Sequence, residues 1–178
     1  CFVNTLITGN RATVGIVSEC DLLGCVVDGN FADTASVNKF TYVYDTTVGP
    51  HAYKLNGKEG TGLGSYSTVG AGRLMNCLVL SKCTTGTPTT PLSNCVFAAG
   101  CENANVLKNT NDCWVVDADL LQVDATCRPT GGMNFACDKA NSTLISGRAA
   151  EDAYLLELRE RANNGGRLDI GALEADWR

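Results

Sequence analysis

Short apolar runs, each closed by a turn of glycine and asparagine, repeat along the first part of the chain. Leu6–Ala12 recurs as Val26–Ala32, which places Asn10 and Asn30 at equivalent positions 20 residues apart. Recurrence with a period of roughly 20 to 50 residues is typical of repeat architectures, in which neighbouring units share one core because no unit buries its apolar face alone. The pattern therefore predicts stacked units rather than a conventional layered domain.

A second recurrence extends the pattern into the middle of the chain. Asn76–Leu80 returns 18 residues later as Asn94–Ala98, and in both copies a cysteine directly follows the asparagine. Units of this length with very short strands indicate a parallel β-helix rather than a leucine-rich repeat, whose regularly spaced leucines are missing. We expect the aligned asparagines at successive turns, where asparagine tolerates left-handed conformations and can bond to the next coil.

Residues 36–70 interrupt the repeat and predict an insertion that is rich in aromatic residues and glycine. Aromatic and β-branched residues alternate over 40–44, as in a strand, before the glycines begin. Aromatic rings with polar tips suit carbohydrate or protein surfaces, and an aromatic strand that packs on the β-helix wall is an equal alternative. The candidate ligand-binding residues are Tyr42, Tyr44, Tyr53 and Tyr66. The glycines match neither a phosphate-binding loop nor a dinucleotide fingerprint.

The C-terminal segment 138–178 predicts a cap on the stack. Residues 149–162 carry acids in the first half, arginines in the last turn and one apolar stripe, which indicates a helix that covers an open face or end. Gly165–Trp177 then predicts a closing strand with Leu168, Ile170 and Ala172 on one face. Asp169 and Glu174 are expected to be polar residues of that strand rather than a catalytic pair.

The repeat motifs and the ending resemble the C-terminal portion of large bacterial secreted right-handed parallel β-helix proteins, among them polymorphic outer-membrane-protein-like and choice-of-anchor surface proteins. The similarity lies in Thr8–Ala12, Asn76–Val79, Asp117–Asp124 and Gly166–Glu174, and covers most of the chain outside 36–70. It departs at Ser142–Gly147, where an acid usual in such proteins is missing. The resemblance implies an all-β, right-handed parallel β-helix and a secreted or surface adhesive module. The length of 178 residues predicts a single domain over 1–178.

The composition of the chain excludes some classes of function and indicates a cellular compartment. The chain of 178 residues has a net charge of −5, so it lacks the basic footprint of a nucleic-acid-binding protein. No apolar run reaches the roughly 18 residues that a membrane span requires. Ten cysteines, one histidine and no CxxC pair favour an oxidising, extracellular compartment over a zinc site. A reduced protein that uses cysteine as a small buried apolar residue is the alternative.

Equivalent positions in adjacent coils would place two cysteines about one strand spacing apart, roughly 4.8 Å, which a disulfide accepts. We predict that at least one of the pairs Cys77/Cys95 and Cys83/Cys101 is bridged, although sequence does not give connectivity. Further disulfide candidates are Cys20, Cys25, Cys113, Cys127 and Cys137. A catalytic thiol would need a base, and His51 is the one histidine available.

A run of acids in the last third of the chain allows three interpretations. The first is solvated turn acids with local caps. The second is a structural calcium site formed by Asp112, Asp117 and Asp119. The third is the catalytic machinery of a pectin-lyase-type lyase or a glycoside hydrolase, formed by Asp117, Asp119, Asp124 and Arg128. The first interpretation is preferred, and no cofactor is expected beyond that calcium.

These observations predict a non-catalytic, exported structural or adhesive β-helix module that binds a glycan or a surface protein. The alternative function is a polysaccharide-degrading enzyme. The first coil shows no N-terminal cap, which predicts either a missing upstream β-helix region or head-to-tail self-association of the chain.

Overall fold

A computed structural model describes residues 1–38, 42–50, 54–59, 73–81, 92–101, 110–111, 113–130, 134–137 and 169–172. In these residues the chain is an all-β solenoid whose strands stack in parallel sheets, which confirms the predicted β-helix fold. No helix in these ranges is long and apolar enough to cross a membrane. The predicted helix over 149–162 lies outside the described residues.

The first long sheet takes one short strand from each successive coil, and all its neighbours are parallel. Leu22 pairs with Val43, and Val43 pairs with Leu74, so apolar side chains form a continuous column along the stack. The strands, in spatial order, are β1 (Phe2–Val3), β5 (Leu22–Leu23), β9 (Tyr42–Tyr44), β13 (Arg73–Met75), β15 (Leu92–Ser93) and β17 (Thr110–Asn111).

The second long sheet is built in the same way from the strand that follows in each coil. Val27 pairs with Val48, and Val79 pairs with Phe97. All four of these side chains point into the interior, where they are at most 1% exposed. Its strands are β2 (Leu6–Thr8), β6 (Val26–Asp28), β10 (Thr47–Val48), β14 (Leu78–Val79), β16 (Val96–Ala98) and β18 (Trp114–Val116).

Two smaller pairs of strands complete the first two coils, and a hairpin follows them. The parallel pairs are β3 (Arg11–Ala12) with β7 (Phe31–Ala32), and β4 (Gly15–Ser18) with β8 (Ala35–Asn38). The antiparallel hairpin consists of β11 (Lys54–Leu55) and β12 (Lys58–Glu59).

The corner between the two long sheets uses a left-handed residue in coil after coil. Two short strands can meet at an angle there because a single residue with positive φ changes the direction of the chain. Glycine, asparagine and aspartate adopt this left-handed conformation most readily. The corner residues are Asn4, Gly24, Asp45, Asn76 and Asn94, with φ between 47° and 62°.

Amide side chains link these corners along the stack. The Asn94 Nδ2 donates to Asn76 Oδ1 at 2.7 Å, and the Asn76 Nδ2 donates to Asp45 Oδ1 at 3.3 Å. At another corner the Asn30 Oδ1 accepts from the backbone N–H of Asn10 at 3.0 Å. The predicted role of the repeated asparagines, bonds to the adjacent coil at successive turns, is confirmed.

The insertion starts later than predicted. Of the segment 36–70, β9 and β10 belong to the two long sheets and β8 pairs with β4, so the coils continue through Val48. Val43 is fully buried inside the stack while its tyrosine neighbours face outward. The alternation that suggested a separate aromatic strand is the ordinary alternation of a coil strand with one face inside.

Residues 169–172 pack on the outer face of the second long sheet. Ile170 is fully buried in a cluster with Leu78, Val96, Leu121 and Ala136. The segment 169–172 runs across the strands of this sheet, because its amides donate to acceptors on three different parts of the chain. The contacts are Ile170 N to Ala136 O and Gly171 N to Asn76 O, both 2.9 Å, and Ala172 N to Thr47 Oγ1 at 3.0 Å.

The predicted closing strand is not found in residues 169–172, which form bends and no strand. These residues contact the outer face of a sheet and not an open edge, although Ile170 and Ala172 are both buried. Gly171 has φ of +113°, and a Cβ there would lie 2.5 Å from Thr47 Oγ1, so this crossing requires glycine. Asp169 is also fully buried.

The first coil exposes apolar side chains that later coils bury. Phe2 is 41% exposed, whereas its register partner Leu22 is fully buried; Leu6 is 62% exposed, whereas its partner Val26 is 5% exposed. An upstream coil or a second copy of the chain would cover such residues, and that expectation stays a prediction.

Candidate functional site

A groove lies between the wall of the first two coils and the β11–β12 hairpin. Its volume is about 520 Å³, within the range of roughly 300–1,000 Å³ typical of ligand sites. The wall side is formed by β3, β7 and the residues that follow each strand, and the hairpin forms the opposite side. The lining residues are Arg11, Ala12, Thr13, Phe31, Asp33, Leu55, Asn56 and Lys58.

The repeat places the wall residues together. Arg11 pairs in register with Phe31, and Thr13 and Asp33 directly follow these two strands at equivalent positions of adjacent coils, so stacking of the coils brings the four residues together. Phe31 is 4% exposed and Leu55 is half-buried, so the groove has an apolar base between polar rims. Arg11, Thr13 and Asp33 are exposed.

An ion pair joins the two sides of the groove. Lys58 Nζ lies 3.3 Å from Asp33 Oδ1, and it also donates to the Asp33 carbonyl at 3.4 Å. The two side chains remain 60% and 50% exposed, so solvent screens the pair and it contributes little to stability. Because the pair is exposed, a ligand can exchange hydrogen bonds with either member at low cost.

Two of the four tyrosines predicted to bind a ligand lie in the described structure, and neither lines the groove. Tyr42 and Tyr44 pack on the outer face of the first long sheet with Leu23, Met75 and Val3, and their ring centroids are 5.6 Å apart. Tyr44 is only 3% exposed. These two residues follow the alternative interpretation, an aromatic strand packed on the wall. Tyr53, Tyr66 and His51 lie outside the described residues.

The groove residues of the coil wall were missed because they lie within or directly after the repeat motif and do not stand out by residue type. Arg11 and Phe31 immediately follow the aligned Asn10 and Asn30, so the repeat alignment already places them side by side. What the sequence does not give is the position of the hairpin, and therefore of Lys58, opposite them.

The acids proposed as catalytic residues do not line the groove. Asp117 and Asp119 are exposed, before and within a single 3-10 turn over Ala118–Leu120. The Asp124 carboxylate accepts hydrogen bonds from Thr126 N and Thr126 Oγ1, both at 2.7 Å, and from Arg128 N at 3.1 Å. These contacts are those of a local turn.

Asp124 is accordingly held in its ionised form. The hydrogen bonds from Thr126, together with the backbone N–H and the charge of Arg128, lower the pKa of its carboxyl. A general acid would need the opposite shift. Among the described residues no group of three or more histidine, cysteine, aspartate or glutamate side chains is arranged to hold a metal ion. Asp112, the third member of the predicted calcium site, lies outside them.

Cysteines form part of a column just inside the corner between the long sheets. One thiol or hydroxyl follows each left-handed corner residue and donates to the carbonyl two residues earlier. Examples are Thr46 Oγ1 to Tyr44 O at 2.9 Å, Cys77 Sγ to Met75 O at 3.3 Å and Cys95 Sγ to Ser93 O at 3.3 Å. Cysteine and threonine therefore fill the same structural position.

The column also brings the first pair of predicted disulfide partners together. Leu78 pairs with Val96, which places Cys77 next to Cys95 in adjacent coils, and the backbone N–H of Cys95 donates to Cys113 Sγ at 3.4 Å. Cys77 and Cys95 are nevertheless free thiols in the structure, as are Cys20, Cys25 and Cys127. Burial raises the pKa of Cys95 well above its ordinary value and also raises that of Cys25.

Cys101, from the second predicted pair, also differs from the predicted bridge. It carries a thiol rather than a disulfide sulfur, and this thiol donates to the Leu80 carbonyl of the preceding coil at 3.3 Å. Cys101 therefore links adjacent coils by a hydrogen bond to the backbone. Two further disulfide candidates, Cys113 and Cys137, are thiols as well. Cys83 lies outside the described residues, and bridging in the oxidised protein stays a prediction.

Residues 121–130, 134–137 and 169–172 form a C-terminal layer on the second long sheet. Cys127 anchors this layer, because it packs with Val26 of the sheet and with Ala172. It is 1% exposed, and its thiol donates a hydrogen bond to the Asp28 carboxylate. Burial, followed by the charge of Asp28 and the hydrogen bond to it, raises the pKa of Cys127 to about 12. The thiol is therefore protonated at neutral pH and is not an activated nucleophile.

Comparisons with protein-family models, with curated proteins and with solved structures find no match for this chain. The resemblance read from the motifs gains no support from them, and the function that it implies is carried forward only as a proposal.

Proposed function

We propose that this chain is a non-catalytic, exported β-solenoid module that binds a glycan in the groove between the coil wall and the β11–β12 hairpin. The observation that carries the proposal is the lining of that groove. Hydroxyl, amide, carboxylate and cationic groups from Thr13, Asn56, Asp33 and Lys58 surround an apolar base. A sugar presents the same combination, because its hydroxyls donate and accept hydrogen bonds while its C–H faces are apolar.

The rigidity of the wall supports a binding role. Arg11 projects from a strand of the solenoid wall, and Thr13 and Asp33 directly follow such strands, so these side chains are positioned by the stacked coils before a ligand binds. Export is proposed on the number of cysteines, which suits an oxidising compartment.

The binding test uses two tryptophan substitutions at neighbouring positions. Thr13 is exposed and lines the groove, so Thr13→Trp places a large ring inside it. Val14 is 53% exposed and is absent from the lining, so Val14→Trp is the matched control. Immobilised neutral and acidic oligosaccharides are offered to both variants and to the unaltered protein.

The proposal predicts that an oligosaccharide is retained by the unaltered protein and by Val14→Trp, and is lost with Thr13→Trp. Equal retention by the two variants would show that the groove is not the site. Chromatography of each oligosaccharide after long incubation, with and without calcium, tests the alternative function, because a polysaccharide-degrading enzyme would shorten the chains.

A further inference from the structure

The charges of the groove differ in sign from the charge of the whole chain. Its described lining carries two cations, Arg11 and Lys58, and one anion, Asp33, whereas the chain as a whole carries a net charge of −5. A locally cationic cleft on an anionic protein favours negatively charged ligands at that point and disfavours them elsewhere. From this difference, and on the basis of the proposed glycan-binding function, we infer that the groove selects an acidic oligosaccharide whose carboxylate or sulfate group binds between Arg11 and Lys58.

The position of the two cations supports this arrangement. Arg11 belongs to the coil wall, whereas Lys58 belongs to the hairpin and extends its ammonium group across the groove to Asp33, so both cations line the groove. An anionic group that enters the groove can accept from the guanidinium and from the ammonium. Charge-assisted hydrogen bonds of this kind are about twice as strong as neutral ones.

Asp33 competes with an acidic ligand for Lys58. Its carboxylate already accepts from Lys58 at 3.3 Å, so it competes with an incoming anion for the same ammonium group. The Lys58 side chain is 60% exposed and the Asp33 side chain is 50% exposed, so breaking the ion pair between them costs little free energy. Removing the Asp33 charge should therefore favour an acidic ligand and leave a neutral one unchanged or weaker.

The experiment measures the dissociation constants of uronate, sulfated and neutral oligosaccharides of equal length by titration calorimetry. The variants are Arg11→Gln, Lys58→Gln and Asp33→Asn. Asp119→Asn is the control for net charge, because it changes the chain by the same amount as Asp33→Asn at an exposed position outside the groove.

We expect at least one acidic oligosaccharide to bind more tightly than the neutral one. Loss of a hydrogen bond to a charged group corresponds to about tenfold in affinity, so Arg11→Gln and Lys58→Gln should each weaken the acidic ligand by that factor. Asp33→Asn should tighten it, and Asp119→Asn should have no effect. Uronate and sulfated ligands separate the two sources of the anionic group.

Two results would overturn the inference, and they differ in what they say about glycan binding itself. Equal affinity for neutral and acidic oligosaccharides, unaffected by the Arg11 and Lys58 substitutions, would refute the acidic selectivity and leave the proposed glycan-binding function standing. No binding of any of the three oligosaccharides would refute both.

Discussion

The contact between Gly49, Asp28 and Cys127 predicts a large effect for the smallest substitution, Gly49→Ala. A Cβ at position 49 would lie 2.6 Å from Cys127 Sγ and would collide with the Asp28 carboxylate as well. Both neighbours are held in place, because the buried thiol donates to that carboxylate and fixes the C-terminal layer on the second long sheet. The methyl group therefore has no flexible neighbour to displace.

The magnitude follows from the two interactions that the methyl group disturbs. Overpacking of a well-packed site costs about 1–3 kcal/mol, and loss of the thiol–carboxylate hydrogen bond adds about 1–2 kcal/mol. The free energy of unfolding should fall by about 2–5 kcal/mol, which lowers the urea midpoint by about 1–2.5 M for a slope near 2 kcal/mol per molar.

A double-mutant cycle with Cys127→Gly isolates the cause. Cys127 has φ of +64°, so glycine removes the thiol without adding backbone strain at that position. In this background the carboxylate of Asp28 can move aside, and Gly49→Ala should cost less than about 1 kcal/mol. Urea denaturation followed by circular dichroism gives all four values. Equal costs of Gly49→Ala in the two backgrounds would refute the proposed contact.

Three further predictions concern the corners and the thiols. Asn94→Ala should lower the free energy of unfolding by about 2–3 kcal/mol, because it removes the hydrogen bond to Asn76 Oδ1 and places alanine at a φ of +52°. Asn94→Gly removes the same hydrogen bond without the backbone strain and should lower it by only about 1 kcal/mol. Equal losses for the two variants in urea denaturation would contradict this. Because the pKa of Cys127 is about 12 in the folded protein, above its ordinary value of 9.0, its stabilising effect is complete below pH 9 and is lost as the pH rises towards 12. Stability should fall over that window by up to about 1.4 kcal/mol per pH unit more in the unaltered protein than in Cys127→Gly, and parallel curves from urea titrations would refute the assignment. Intact masses and peptide maps of the oxidised protein should show a bridge in Cys77/Cys95 or Cys83/Cys101, and four free thiols would refute that pairing.

The sequence predicted the fold through its repeat. The alignment of Asn10 with Asn30, and of Asn76 with Asn94, correctly placed equivalent residues in adjacent coils, because a solenoid stacks sequence-related units directly on one another. The same logic anticipated that Cys77 and Cys95 are neighbours. These predictions succeeded because each depends on contacts between consecutive units.

Contacts between distant parts of the chain were predicted less well. Tyr42 and Tyr44 suggested a ligand surface, yet alternation of residue types does not reveal whether the outer face of a strand is itself covered, and Tyr44 is buried. The end segment was expected at an edge of the stack, but Ala172 bonds to Thr47, 125 residues earlier in the chain. The groove depends on a similar long-range placement, since Lys58 and Asp33 meet only when the hairpin lies against the coil wall.

Amide chemical-shift mapping shows residue by residue whether a glycan binds in the groove. The protein is labelled with ¹⁵N and titrated with the neutral and the acidic oligosaccharides in turn. If the glycan binds in the groove, the largest shifts fall on residues 11–13, 31–33 and 55–58, which border the groove on both sides. Shifts confined to the outer face around Tyr42, or none with either oligosaccharide, would contradict it.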